Sequence, residues 1–178
     1  GSVRQRRDVG AVDDLGLGRR VSMRKLITIL LGLWVGALAH GTAPVWVIDL
    51  DDVIEASSAR YLSDSLDEAR TSDVPLVVLR IDTPGGWMDS TRDIVKDILA
   101  SPVPVAAYVS PEGASASSAG TYIVYASHVA AMAPATNIGS ATPVRGDGEA
   151  MEPNLERKVV NDAVAQMRGL AELRGRNI

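Results

Sequence analysis

Two apolar runs, each ending in a turn of small residues, constrain this chain most. Leu76-Val77-Val78-Leu79-Arg80-Ile81 stops at Asp82-Thr83-Pro84-Gly85-Gly86, and Pro104-Val105-Ala106-Ala107-Tyr108-Val109 leads to Gly113-Ala114-Ser115-Ala116-Ser117-Ser118-Ala119-Gly120-Thr121-Tyr122. Short, nearly continuous apolar runs bounded by turn residues predict strands buried on both faces of a parallel sheet. A glycine pair directly after a strand lets backbone N–H groups approach an anionic oxygen closely. A serine in a small-residue turn that opens a helix is well placed as a nucleophile. Together the two turns suggest acyl transfer through a serine and a backbone oxyanion hole.

The rest of the chain alternates around these turns. Residues 45–50 read as a strand, 57–70 as a helix, 76–81 as a strand, 90–99 as a helix and 103–109 as a strand. A small-residue helix follows over 118–126, then a short strand over 129–132 and a Gly/Pro/Asp-rich loop over 137–148. The last helix, 154–173, carries Val160, Ala163, Val164, Met167 and Ala171 as its apolar stripe. Alternation of this kind predicts an α/β domain with a largely parallel sheet and right-handed crossovers. Ligand sites in such sheets gather at the carboxyl ends of the strands, where both turns sit.

Composition narrows the function. With 178 residues, 46% hydrophobic and 22% charged, the chain suits one globular domain. A net charge of −4 gives no reason to expect nucleic-acid binding. The absence of cysteine excludes a thiol nucleophile, a disulfide framework and cysteine-based metal sites. No metal cluster and no cofactor is expected. Met23-Arg24-Lys25, the apolar stretch from Leu26 to Ala39 and the small-x-small pattern Ala37-Leu38-Ala39 predict a signal peptide over 23–39, with His40 as the new N-terminus and an extracytoplasmic location. Residues 1–22 read as a non-native or disordered extension, and 40–178 as the functional domain.

The general base is the harder question. Of the two histidines, His40 sits at the expected cleavage point and His128 reads as a structural residue at a helix end. No Gly-x-Ser-x-Gly elbow occurs. A serine can use a neutral lysine instead, whereas arginine cannot give up its proton. Among 18 basic residues only Lys25, Lys96 and Lys158 are lysines, and Lys25 leaves with the signal. Lys96 lies among Arg92, Asp93 and Asp97 on what reads as a solvated helix face. Lys158 opens the last helix, about 160° around it from Val160. That position suits a surface lysine and a lysine reaching into a neighbouring cleft equally well.

Several separated motifs keep a shared order and spacing: Asp82-Thr83-Pro84-Gly85-Gly86, Asp89-Ser90-Thr91-Arg92, Ser101-Pro102-Val103-Pro104-Val105, Ala116-Ser117-Ser118-Ala119-Gly120-Thr121-Tyr122, Thr136-Asn137-Ile138-Gly139, Lys158-Val159-Val160-Asn161-Asp162 and Arg174-Gly175-Arg176-Asn177. In these the chain from Val45 onward resembles the NfeD-type membrane serine proteases, relatives of the Clp and signal-peptide-peptidase A proteases. The resemblance implies a ClpP/crotonase-type fold and a Ser–Lys dyad of Ser118 and Lys158. It also implies an oxyanion hole from Gly85, Gly86 and the N–H of Ala119. It implies apolar segments of membrane proteins as substrates, stomatin-like proteins in particular, together with homo-oligomers and membrane association of the full-length protein. The chain departs from the family at Ser117 and Ala135, where alanine and glycine are common, and it ends inside the family's protease domain. Two other readings share the fold: a crotonase-like acyl-CoA enzyme and a non-catalytic peptide-binding module.

Overall fold

The computed structural model describes residues 43–146 and 149–177; the expected extension, signal peptide and cleavage point lie outside them. From residue 43 onward the chain is one compact unit. Its elements run β1 (Trp46–Leu50), α1 (Ala56–Thr71), β2 (Val77–Ile81), α2 (Met88–Ala100), β3 (Val105–Val109), β4 (Ser115–Ser117), α3 (Ala119–Ala126), β5 (Val129–Met132), β6 (Asn137–Gly139) and α4 (Pro153–Leu173).

Four strands form one sheet in the order β1-β2-β3-β5, all pairs parallel. The α/β, parallel-sheet expectation therefore holds. The expectation of strands buried on both faces does not. Ile48, Leu50, Val77, Leu79, Ile81, Val105, Ala107 and Val109 are buried, while their alternate neighbours Val47, Asp49, Arg80 and Tyr108 are exposed. The described helices cover one face only, through Leu62, Leu66, Ile94, Ile98 and Ile123. Each such side chain contributes roughly 1.5–3 kcal/mol by leaving water. On the open face a bidentate Arg80–Asp49 pair, at 2.6 and 2.9 Å, sits beside Tyr108.

A second, two-stranded sheet joins β4 to β6 in parallel. Sequence periodicity missed both strands, because three residues of Ser, Ala and Gly carry no hydrophobic alternation to read. The segment from Asn137 is therefore not all loop: its first three residues hold β4 in place. Helix α4 docks on α3 through Ala163, Met167, Leu170 and Ala171, whereas Val164 is 43% exposed. Arg174 and Arg176 follow α4 and grip the C-terminus of α3. Arg174 Nε donates to Ala126 O at 2.7 Å, and Arg176 donates to Tyr125 O and Ser127 O while stacking over the Tyr125 ring. Cations there satisfy the last carbonyls of α3 and oppose the negative end of its dipole.

Candidate active site

The carboxyl ends of β1 and β2 carry the loops that meet β4. Thr83, two residues past the end of β2, pairs with β4 through both its backbone groups: its N–H donates to Ser115 O at 2.6 Å, and its O accepts from Ser117 N at 3.1 Å. Along β4 the side chains alternate. Ser115 and Ser117 lie on one face, their hydroxyls 2.5 Å apart, and Ser115 also donates to Asn137 Oδ1 at 2.7 Å. Ala116 faces the other way, and Ser118, past the end of the strand, lies against Gly85 and lines a cavity. The adjacent hydroxyls of Ser117 and Ser118 thus point into different surroundings.

Ser118 is the residue before α3 and has φ +50° and ψ −111°. For a residue with a Cβ this is a strained conformation, and such strain persists only where the surroundings enforce it. Here they do. Ser118 N donates to Gly139 O at 2.8 Å, and Thr121 Oγ1 clamps the same carbonyl at 2.8 Å while bonding Ala116 O at 3.0 Å. No described residue hydrogen-bonds Ser118 Oγ.

The glycine pair lies against this serine. Gly85 has φ +117°, and a Cβ on it would stand 2.7 Å from Ser118 Cβ and 3.2 Å from Ser118 Oγ. A Cβ on Gly86 would stand 2.0 Å from the carbonyl oxygen of Ile54. Only glycine fits either place. The two amides differ in what they do. Gly85 N donates to Thr83 Oγ1 at 3.1 Å, so that N–H is engaged within the turn. Gly85 O accepts from Ile54 N at 2.8 Å, and Trp87 N donates to Ile54 O at 2.8 Å. In a trans peptide the C=O and the following N–H point in opposite directions. With its carbonyl turned to Ile54, the Gly85–Gly86 peptide directs the Gly86 N–H away from Ile54, and no described group accepts it. The N–H of Ala119, first in α3, likewise has no intrahelical acceptor.

Ser118 and Gly86 line one cavity of about 430 Å³ with Val53, Trp87, Met88, Pro143, Val144 and Gly146. Its walls are largely apolar, and Trp87 lies against Gly146, where a Cβ would meet the indole ring at 3.0 Å. Ser118, Gly85, Gly86 and Ala119 are therefore brought together.

Lys158 is not joined to them. It lies exposed on the first turns of α4, outside the residues that line the cavity, with no ion pair among the described residues. Arg157 beside it turns back to Asn154 Oδ1 at 2.6 Å. Asp162, one helical turn beyond Lys158 on the same face, reaches Arg92 of α2 at 3.4 Å. Lys96 pairs with Asp93 at 3.1 Å on an exposed face, as its neighbours predict. His128 accepts a hydrogen bond from Val105 N on Nδ1 at 3.1 Å, and its own N–H donates to Val105 O. Val105 begins β3, so His128 sits at the opposite end of the sheet from Ser118, about 15 Å away by strand length. Burial and the nearby Arg174 push its imidazole below the ordinary value. Among the described residues no helix is long and apolar enough to cross a membrane.

Comparison with known proteins identifies the family and the fold. Residues 44–178 match the family described as NfeD1b, N-terminal domain. The chain is 39% identical over 131 residues to Membrane-bound protease PH1510 of Pyrococcus horikoshii, a match covering 70% of this chain and 29% of that protein. It is 37% identical over 127 residues to Membrane protein NfeD1b of Bacillus subtilis, covering 71% and 28%. It thus spans less than a third of the length of these relatives. Among solved structures, a mutant of the 1510-N membrane-bound stomatin-specific protease superposes with a TM-score of 0.70 at 34% identity, over 77% of this chain and 67% of that one. A second mutant, in complex with a substrate peptide, does so equally over 63% of its chain. The ClpP1 N-to-D mutant of Listeria monocytogenes, at 19% identity and a TM-score of 0.57, shares the fold. With the family match over 44–178 and the shared parallel-sheet architecture, the chain belongs to the NfeD1b N-terminal domain family and has a ClpP-like fold.

Proposed function

We propose that this domain is a serine endopeptidase that uses Ser118 as nucleophile and Lys158 as general base. One observation carries the reading: the hydroxyl of a strained Ser118 shares an apolar cavity with the N–H of Gly86, and neither has a partner among the described residues. Ser118 Oγ attacks the scissile carbonyl carbon, and its proton passes to Lys158 Nζ. The carbonyl oxygen takes the electron pair and is held by the N–H groups of Gly86 and Ala119. Collapse expels the amine, which takes the proton from Lys158. Water then cleaves the acyl-enzyme with the same base. Gly85 serves by lacking a side chain, since its own N–H is spent on Thr83.

The likeness to the stomatin-specific protease supports apolar segments of membrane proteins as substrates. The apolar walls of the cavity, Val53, Trp87, Met88 and Val144, suit such segments. Support for Lys158 comes from Asp162, whose contact with Arg92 turns that face of α4 toward the helix that begins beside Gly86. The domain reading stays part of the proposal: a signal over 23–39, a catalytic unit from 40 onward, an extracytoplasmic site of action, and assembly with copies of itself.

The test is fluorophosphonate labelling and peptidase assay of the full-length protein. Ser118→Ala should lose the label, and Ser117→Ala should keep it. Lys158→Arg should be as inactive as Lys158→Ala, because arginine keeps the charge but cannot act as a base. Lys96→Arg should be nearly silent. An active Lys158→Arg enzyme overturns the dyad.

A further inference from the structure

We propose that Thr83 is the positioning residue that aims the oxyanion donor, resting on the serine-protease reading above. Thr83 is 1% exposed, although threonine is a polar residue. Its hydroxyl donates to Asp52 O at 2.6 Å and accepts from Gly85 N at 3.1 Å. Its backbone pairs with β4 on both sides, which ties the turn to the strand that presents Ser118. One side chain therefore joins the exit of β1, the glycine turn and the nucleophile strand.

The aim of the donor follows from this. Gly85 is held at its N–H by Thr83 Oγ1 and at its C=O by Ile54 N. The Gly85 N–H belongs to the Pro84–Gly85 peptide and the Gly85 C=O to the Gly85–Gly86 peptide, so the planes on both sides of Gly85 are held, and the Gly86 N–H, opposite the carbonyl bound to Ile54, points away from Ile54 toward the cavity that Gly86 lines. Gly85 has no Cβ to restrain its dihedrals, so the hydroxyl does work that a side chain would do elsewhere. Without the hydroxyl, the Gly85 N–H and Asp52 C=O lose their partner inside the protein. The turn then rotates to recover one, and the Gly86 N–H leaves the place where negative charge develops. The effect falls on the transition state and spares the ground-state complex, since the oxyanion exists only in the former.

The variants Thr83→Val, which keeps the shape and removes the hydroxyl, and Thr83→Ser, which keeps the hydroxyl, separate the two roles of the residue. Thr83→Cys, with a weak donor and acceptor of similar size, is the milder companion if the valine variant does not fold. Each is made in the full-length protein and measured for kcat and KM on a fluorogenic apolar peptide, for fluorophosphonate labelling, and for Tm. Thr83→Val should lose about 10²-fold in kcat with KM within about threefold of wild type. Thr83→Ser should recover most of the loss, and Thr83→Cys should fall between them. A crystal structure of the valine or cysteine variant should show the Gly85 carbonyl displaced from Ile54 N. Wild-type kcat in both the valine and cysteine variants overturns the proposal. So does equal damage in the serine and valine variants, or an unmoved Gly85–Gly86 peptide. If the wild-type protein takes no fluorophosphonate label, the protease reading falls, and the peptide orientation in the variant structure still decides the role of Thr83.

Discussion

A methyl group at Gly86 is the sharpest single perturbation of the glycine turn. The added Cβ would stand 2.0 Å from Ile54 O, 2.5 Å from Ile54 N and 2.6 Å from Ile54 C, all backbone atoms. Ordinary contact begins near 3.4 Å, so the turn and β1's exit must part by more than 1 Å. Parting them breaks Ile54 N to Gly85 O and Trp87 N to Ile54 O, each 2.8 Å long. Two net hydrogen bonds amount to about 1–3 kcal/mol of folding stability. That lies below the 5–15 kcal/mol typical of a domain, so the variant folds with a lower Tm. Catalysis suffers more. Loss of one oxyanion donor costs about 10²–10³ in kcat, or about 2.7–4 kcal/mol, and a misplacement of 1 Å alone can cost about 10². Steady-state kinetics on a fluorogenic apolar peptide, taken well below the variant's Tm, should show kcat down by that factor with KM little changed. Gly86→Ala with wild-type kcat and a raised KM would refute the reasoning and leave the turn as a binding groove.

Ser118→Gly should abolish labelling and raise stability by about 1 kcal/mol, because it relieves the positive φ of a residue with a Cβ; urea denaturation reads it, and a less stable variant contradicts the strain. Ala135 has φ +59°, a conformation that glycine adopts without strain, and Ala135→Gly should raise stability by about 0.5–1 kcal/mol by thermal melt. Arg92→Asp and Asp162→Arg should each lower kcat, and the double reversal should restore it; since exposed pairs add about 0–1 kcal/mol, Tm should barely move in any of the three. His128 has a lowered folded pKa, so the unfolded chain binds its proton first as pH falls. Its contribution to stability is present in full above about pH 6.5 and lost as pH falls through the depressed folded value. Urea midpoints measured across that window should fall toward acid in the wild type and flatten in His128→Gln, with Lys158-dependent activity retained.

Composition and periodicity determine a good deal of this protein unaided. Alternating apolar runs and helical stripes specify β1, α1, β2, α2, β3, α3, β5 and α4 within a residue or two, because each element's repeat follows from its own backbone geometry. The two small-residue turns mark the site, because only Gly85 and Gly86 tolerate the approach of Ser118 and Ile54. Four matters depended on contacts between residues far apart in sequence. The strands β4 and β6 are too short and too small in their side chains to signal themselves, and they exist because Gly139 meets Ser117 across the fold. The apolar runs look doubly buried in sequence, yet the described residues cover one face, since a run records hydrophobicity and not what lies opposite it. Ser117 and Ser118 are indistinguishable neighbours until β4 holds the first hydroxyl against Ser115 and the left-handed backbone just past the strand leaves Ser118 lining the cavity. Gly85 and Gly86 read as an equivalent pair, but Thr83 takes the Gly85 N–H and Ile54 holds the Gly85 carbonyl, so among the described residues one N–H is consumed and the other has no acceptor. A sequence can name the residues able to make such contacts. Which N–H finds a partner is settled only when the chain closes on itself, because a hydrogen bond depends on direction as well as on composition.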